Sequence, residues 1–546
     1  MQKHAFRNGR DKTRAALAIA MLLAGLGLPA WSAVIRVPQD YPTIVDAVGW
    51  ANPGDEIVIE AGTYDESDMV HVWAPMTLRA TNGLVTVRCP SSKDAVAEVA
   101  PGVTGVVFEG LKFERPSADA NWMRTVQLHG ASAATFNGCV FTGPANGVGV
   151  ILFWGADATF NSCVFSNFNT AASWAAAIFL EGADAASGYS DLVVRDSTFG
   201  SGCNGWIRVY QWNTGNPNGE PKIGQVTVSN CVFRATPHPH GIMFRDEQLA
   251  MQYNPTNAIT FTDCVFEGTS LELAEFHYTG GGGPAALQFS RCWFKPYNST
   301  RKMFWLDVPA PIVFENCLFG GGRHETIMTI WGGPPSVDFY HCTMINEGIT
   351  GAESASGQNW SSFIWGWDGG RTFNVVNCLF WCPTNYSAAF SGDPGSAADR
   401  NYAVSHTVVD HPWIVGSKVQ ITAGSGYYTN VSLAGAFVNP AGGDYHLLNG
   451  TPWVNGGTDL GYALDLDRNA RNQGGAPDLG AYESAFAPVT PTVSIVPSGA
   501  NVVLHFTGVL QAADAVTGPY LDVPGAVSPW MISPTNDVQF FRARAP

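Results

Sequence analysis

Eight short runs, 126–129, 151–154, 178–181, 207–210, 242–245, 304–307, 328–331 and 364–367, end on His129, Trp154, Glu181, Tyr210, Arg245, Asp307, Trp331 and Trp367. If the first and third residues of each run face a core, the fourth faces out, and the eight form one stripe. Arg208, Trp305 and Trp365 then lie beside it. Aromatic faces stack on the apolar faces of sugar rings, while carboxylates and guanidinium groups bond hydroxyls or uronate groups. A stripe of this mixture suits an extended glycan. The binding set read from it is His129, Trp154, Glu181, Tyr210, Arg245, Trp305, Asp307, Trp331, Trp365 and Trp367. The plainer reading is that Trp on a strand face covers its neighbours.

Catalysis needs more. Glycoside hydrolysis wants two carboxylates flanking the bond, roughly 5–10 Å apart. Glu181, Asp246, Glu247, Glu272, Glu275 and Asp307 are the acids near the stripe. Uronate β-elimination wants a basic Arg or Lys, and Arg208 and Arg245 lie one repeat apart. His238-Pro239-His240 and His324-Glu325 read as turn or surface residues, since a third ligand is missing. Asp465, Asp467 and Asn469 copy the first three ligand positions of a calcium loop, but Ala470 and Ala476 replace its Gly and Glu. Calcium there competes with side-chain capping of a turn.

The stripe depends on a repeat. Phe160-Asn161-Ser162-Cys163-Val164-Phe165 recurs with variations, and aligning on its cysteine gives Cys139, Cys163, Ser197, Cys231, Cys264, Cys292, Cys317, Cys342, Cys378 and His406, roughly 24 to 36 residues apart. Motifs returning at such periods mark a solenoid. Within one copy, Val226, Val228, Cys231 and Phe233 face the same way only if the chain bends at Ser229-Asn230, where Asn tolerates left-handed backbone. Each repeat is then a coil of short strands, and stacked coils share one core.

These repeats resemble those of the right-handed parallel β-helix superfamily of pectate lyases and related secreted polysaccharide-active proteins, over about Val34 to Pro440. The resemblance implies an all-β fold with sugar on the stripe face. The fold hosts lyases, hydrolases, esterases and adhesins, so it does not select an activity. Neither the Asp-rich calcium cluster of pectate lyases nor the close-set aspartates of polygalacturonases is present.

Lys3, Arg7, Arg10, Lys12 and Arg14 precede the apolar run 15–28, and Ala30-Trp31-Ser32 offers small residues where a signal peptidase cuts. Residues 1–32 therefore read as an export signal, and the mature protein as secreted or cell-surface and monomeric, without membrane insertion. Loss of that segment leaves 24 basic and 44 acidic residues, a balance of −20 against −16 for the whole chain. An acidic surface makes nucleic acid and anionic bilayers poor partners. An extracellular polysaccharide carries no such penalty if it is neutral. Eight of the eleven cysteines occupy the repeat position and read as a column of buried thiols; the redox states of Cys89, Cys203, Cys378 and Cys382 stay open, a Cys378–Cys382 bridge included.

The β-helix is assigned to 33–440. Its start has a strand, a short helix from Thr43 and a Pro53-Gly54-Asp55 turn, which read as a cap over the first coil. Residues 441–487, with Trp453-Val454-Asn455-Gly456-Gly457 and Pro477-Asp478-Leu479-Gly480-Ala481-Tyr482-Glu483, are similar to the choice-of-anchor Q segment that closes many bacterial surface β-helix proteins. Residues 488–546 read as a Pro/Thr/Val linker and a small β domain. Two functions follow. One is an exported protein that binds or degrades polysaccharide through the stripe; the other is a non-catalytic surface or adhesion protein whose β-helix is a spacer.

Overall fold

The residue just ahead of each repeat position does have left-handed backbone: φ is 59° at Gly138, 54° at Ser162, 52° at Asp196, 51° at Asn230, 56° at Asp263, 48° at Arg291, 52° at Asn316, 51° at His341 and 58° at Asn377. Each turns the chain without ending the strand pairing, so the strands on either side keep their inward faces in one core. The structure is a computed structural model, and it describes residues 32–115, 123–143, 147–153, 155–168, 176–182, 188–203, 205–210, 222–236, 240–244, 252–269, 272–276, 282–299, 301–349, 361–366, 371–384, 387–392, 400–411, 414–415, 419–484, 491–499, 501–533 and 538–544. Two units divide the chain, 1–258 with 275–284, and 259–274 with 285–546. Each contains a stretch of right-handed parallel β-helix.

In the first unit the strands pair in register from coil to coil. Ala134 pairs with Ala158, Phe136 with Phe160, and Phe141 with Phe165. Parallel pairing sets like residues side by side, so phenylalanines stack: Phe136 on Phe160 at 4.9 Å, Phe165 on Phe199 at 4.8 Å, and Phe199 on Phe233 at 4.6 Å between ring centroids. The second unit repeats this with Phe261, Phe289, Phe314 and Phe339, at 4.9, 4.9 and 5.3 Å. The cap is as expected. Thr43 accepts the Asp46 N–H at the start of helix Ile44–Trp50. Asp55 takes the N–H groups of Ala33 and Asn52, both at 2.7 Å, which gives it a structural task.

All eleven cysteines are buried free thiols, so Cys378 and Cys382 form no bridge. Each column thiol donates to nearby carbonyls, as Cys163 does to Phe136 at 3.4 Å and Asn161 at 3.5 Å. Ser197 fills the same place, accepting the Cys163 N–H and donating to the Arg195 carbonyl. One place in the column needs correcting. His406 (φ 44°) is the bend residue, and Thr407 takes the cysteine place, its hydroxyl accepting the Cys378 N–H at 3.1 Å. The column in this last copy of the repeat therefore lies one residue after His406.

The segment after the coils folds back along the flank of the second unit. Leu433, Phe437, Tyr445, Trp453, Leu479, Ala481 and Tyr482 bury against Leu318, Ile345, Leu379 and Val408. Arg471 fixes it: its guanidinium donates to Asn316 Oδ1 at 2.7 and 3.1 Å and to the carbonyls of Gly480, Ala481 and Tyr482, with Glu483 3.5 Å away. Thr492–Ser498, expected as linker, is a strand paired antiparallel with Asn501–Thr507. Among the described residues no helix is long and apolar enough to cross a membrane.

Two outcomes check this account. Cys231→Ser should cost only about 1 kcal/mol in urea unfolding, because a hydroxyl satisfies the same carbonyls at Ser197 and Thr407; a loss above about 3 kcal/mol would contradict it. Arg471→Met strands the Glu483 carboxylate and should cost about 3–5 kcal/mol, seen as early proteolytic cutting within 441–484. Unchanged protease resistance would mean that Arg471 does not hold the flank.

Candidate functional site

The stripe lies on the outward side of the second strand set in each unit. In the first unit, Ile178 pairs with Ile207, Phe179 with Arg208, and Glu181 with Tyr210. The coil before sits one residue off the sequence reading. Val150 and Leu152 point inward, and Phe153, not Trp154, pairs with Glu181. The run 151–154 contains Ile151, Leu152 and Phe153 in succession, and alternation cannot choose between its two phases. Trp154, Arg245, Asp246 and Trp367 lie outside the described residues, as does the side chain of Tyr210.

On that face His129 stacks on Phe153 at 5.2 Å, and the Arg124 guanidinium lies 5.0 Å from the same ring centroid. Glu181 is next along. Burial pushes its carboxyl up to about 7, with Arg124 pulling the other way. A carboxyl that holds its proton near neutral pH has the chemistry of a proton donor. Glu98 is its opposite. Bonds from His129, Gln127 and His71 hold it at about 2 against the cost of burial. Glu98 was missed in the sequence, though Ala97-Glu98-Val99 alternates cleanly and pairs Glu98 with Gln127.

Arg208 does not lie open beside the stripe. It is 1% exposed, and burial lowers it to about 10 while Glu275 opposes that shift. Glu275 is equally buried, with His240 Nδ1 3.7 Å from it. Arg208 thus belongs to a covered ionic group. A buried Arg on a sheet's outer side leaves no periodic signal.

In the second unit Trp305, Thr329, Trp365 and Ser391 form one outward column. Trp331 follows Thr326–Ile330 and donates its backbone N–H to the Leu306 carbonyl, which sets it beside Asp307. Trp305 and Trp331, both half-buried, have ring centroids 5.4 Å apart. Lys302 Nζ sits 3.4 Å above the Trp305 ring. Lys302 and Arg301 also face the buried carboxylate of Glu272, at 4.0 and 3.8 Å. Lys302 was not singled out in the sequence, although it lies three residues before Trp305 on one strand.

The residues read as a calcium-loop start make a self-held turn. Asp465 is fully buried and accepts the N–H groups of Asn469 at 2.6 Å and Glu483 at 2.7 Å, and Asp467 pairs with His446 at 3.0 Å. Backbone amides occupy the carboxylate a calcium ion would need, so the donor set does not fit one.

No protein-family model and no curated protein matches the chain. Among solved structures it is similar to an Acinetobacter phage tailspike protein, at 12% identity over 84% of this chain and 67% of that one, TM-score 0.27. It is similar to the catalytic unit of a thermostable α-1,3-glucanase from Streptomyces thermodiastaticus, at 13% over 74% and 70%, TM-score 0.28. It is also similar to a pectate lyase, at 12% over 80% and 90%, TM-score 0.25. No residue role is carried over from any of them.

Glu181 titrates more readily in the unfolded chain than in the folded one. A folded pKa raised above the unfolded value makes stability greatest below about pH 4.5, falling as pH rises to about 7 and flat beyond. Relative to wild type, Glu181→Gln should remove about 2–3 kcal/mol of that decline between pH 4.5 and 7.5. Identical pH profiles of urea unfolding for the two proteins would refute the shifted carboxyl.

Proposed function

We propose that the chain is an exported protein that binds an extracellular polysaccharide along the outward face of its β-helix. The observation that carries this reading is the Trp305–Trp331 pair, whose rings lie 5.4 Å apart on successive coils, with the Lys302 ammonium over Trp305. Successive coils are about 4.8 Å apart, so such a pair offers two stacking platforms to one extended chain. Half-burial fits the same role, because a ring held by its neighbours keeps one face in place. The N-terminal basic and apolar run supports export.

Glu181 favours a second reading in which the bound polymer is also cut. Its proton near pH 7 suits protonation of a departing glycosidic oxygen, and the half-buried His129, backed by Phe153, would floor a sugar ring. A rod that is only a spacer has no use for either feature.

Affinity electrophoresis through gels holding a panel of neutral and acidic polysaccharides tests binding. At least one polymer should retard the wild type, and Trp305→Ala and Trp331→Ala should each weaken that retardation about tenfold, a loss of about 1–1.5 kcal/mol. No retardation by any polymer would sink the proposal in favour of the spacer. Release of reducing ends from the retarding polymer, abolished in Glu181→Gln while retardation persists, would establish cutting.

A further inference from the structure

Where the returning segment meets the bends of the second unit, it leaves a cleft of about 190 Å3 whose lining includes neither Trp305 nor Trp331. Its floor is made by two successive coils. Arg291 donates to the Asp263 carboxylate through Nε at 2.7 Å and a terminal nitrogen at 3.1 Å. The returning segment supplies the other side. Arg468 reaches the same carboxylate at 3.4 Å from the more exposed rim, and Asp467 stands next to it, held by His446. Tyr482 lies against His446 with ring centroids 3.9 Å apart, and Tyr482 and Trp293 give the cleft aromatic walls.

The lining charges cancel, two guanidinium groups against two carboxylates. A free anion or cation therefore gains nothing net by entering. What the walls reward is a molecule that accepts from Arg, donates to Asp and offers a flat apolar face to an aromatic ring. Neutral sugars have that chemistry. The volume equals about six waters at liquid density, room for one ring and not for a chain. We propose that this cleft is a second sugar site, which holds a single neutral sugar ring or the terminal ring of a glycan. It shares no residue with the outward-face stripe, so it stands whether or not that face binds polysaccharide.

The arrangement also explains why the site needs the flank. Asp263 and Arg291 are bend residues on the coils, and they pair with each other; only Asp467, Arg468 and Tyr482 turn that pair into an enclosure. The exposed rim position of Arg468, whose side chain is 53% accessible, makes it the group that can be altered without disturbing the fold.

Saturation-transfer NMR and calorimetry on the mature protein, against neutral hexoses, pentoses and their disaccharides, are the test. At least one sugar should bind saturably with Kd near 1 mM. Arg468→Gln should weaken it tenfold or more with thermal unfolding unchanged, and Asp467→Asn should weaken it as much while lowering stability by no more than the loss of its His446 ion pair. Trp305→Ala leaves binding intact. Absence of saturable binding for every sugar overturns the site. So does binding that survives both cleft variants, or inorganic phosphate or sulfate occupying the cleft in preference to sugar. Polysaccharide retardation that fails while a simple sugar still binds counts against the outward face alone.

Discussion

Everything in this chain depends on one backbone requirement: a single residue per coil must adopt left-handed φ immediately before an inward side chain. That conformation costs a residue with a Cβ about 1–2 kcal/mol. It is kept because the parallel hydrogen-bonding ladder resumes on the other side of the bend, and because the next inward side chain then lands above its counterpart in the previous coil. The ring stacks at 4.6 to 5.3 Å follow from strand spacing. The bend is also why the small column residue is Cys, Ser or Thr. A thiol or hydroxyl there can reach the carbonyl two residues back across the turn, as Cys163, Ser197 and Thr407 do.

With the interior filled by interchangeable rings and thiols, chemistry is left to the outward positions, and burial there decides their protonation. Glu181 and Glu98 share one face but meet opposite conditions. Glu98 receives three side-chain bonds and stays ionised; Glu181 sits beside Phe153 with only a desolvated Arg124 to offset burial, and keeps its proton toward neutral pH. Two carboxylates separated in this way can take different proton roles from one surface. Two of the thiols are removed from such chemistry. Burial pushes Cys163 and Cys203 up to about 12, so neither is a thiolate at physiological pH.

The repeat was legible because the bend and the inward column constrain residue type at fixed places. Cysteine directly after a polar pair, two residues before an aromatic, has no helical explanation. Legibility failed where the pattern had two phases. The run at Ile151, Leu152 and Phe153 is apolar at every step, so only pairing with Ile178–Glu181 selects Phe153 for the stripe. In 403–408, Ser405, His406 and Thr407 are all polar, and polarity alone does not tell the bend residue His406 from the column residue Thr407. Arg208 was visible as a charge, but its near-complete burial was not, since what covers an outward position comes from elsewhere in the sequence. The small C-terminal β domain was legible because turn residues flank its strands Asn501–Thr507 and Val509–Ala513.

One outward column did announce its cover, by size. In the first unit the position after the repeat residue runs Val140, Val164, Thr198 and Val232, half-buried or exposed. In the second it runs through Val265 and Trp293, both half-buried, and becomes Leu318, Thr343, Leu379 and Val408, all nearly inaccessible. Leucine on the outside of a solvated coil would be a lasting apolar stripe, so the change from Val to Leu implies that something lies over it. The returning segment is that cover, and its fit is close. Thr343 Oγ1 accepts the Ala481 N–H at 2.9 Å, and a Cβ at Gly480 would stand 2.4 Å from that oxygen. Gly480 also has φ of 85°, so both the contact and the backbone require glycine there. The single polar residue in the apolar column is therefore the one that fixes where along the flank the segment settles, and through it the cleft beside Asp467 and Arg468 is formed.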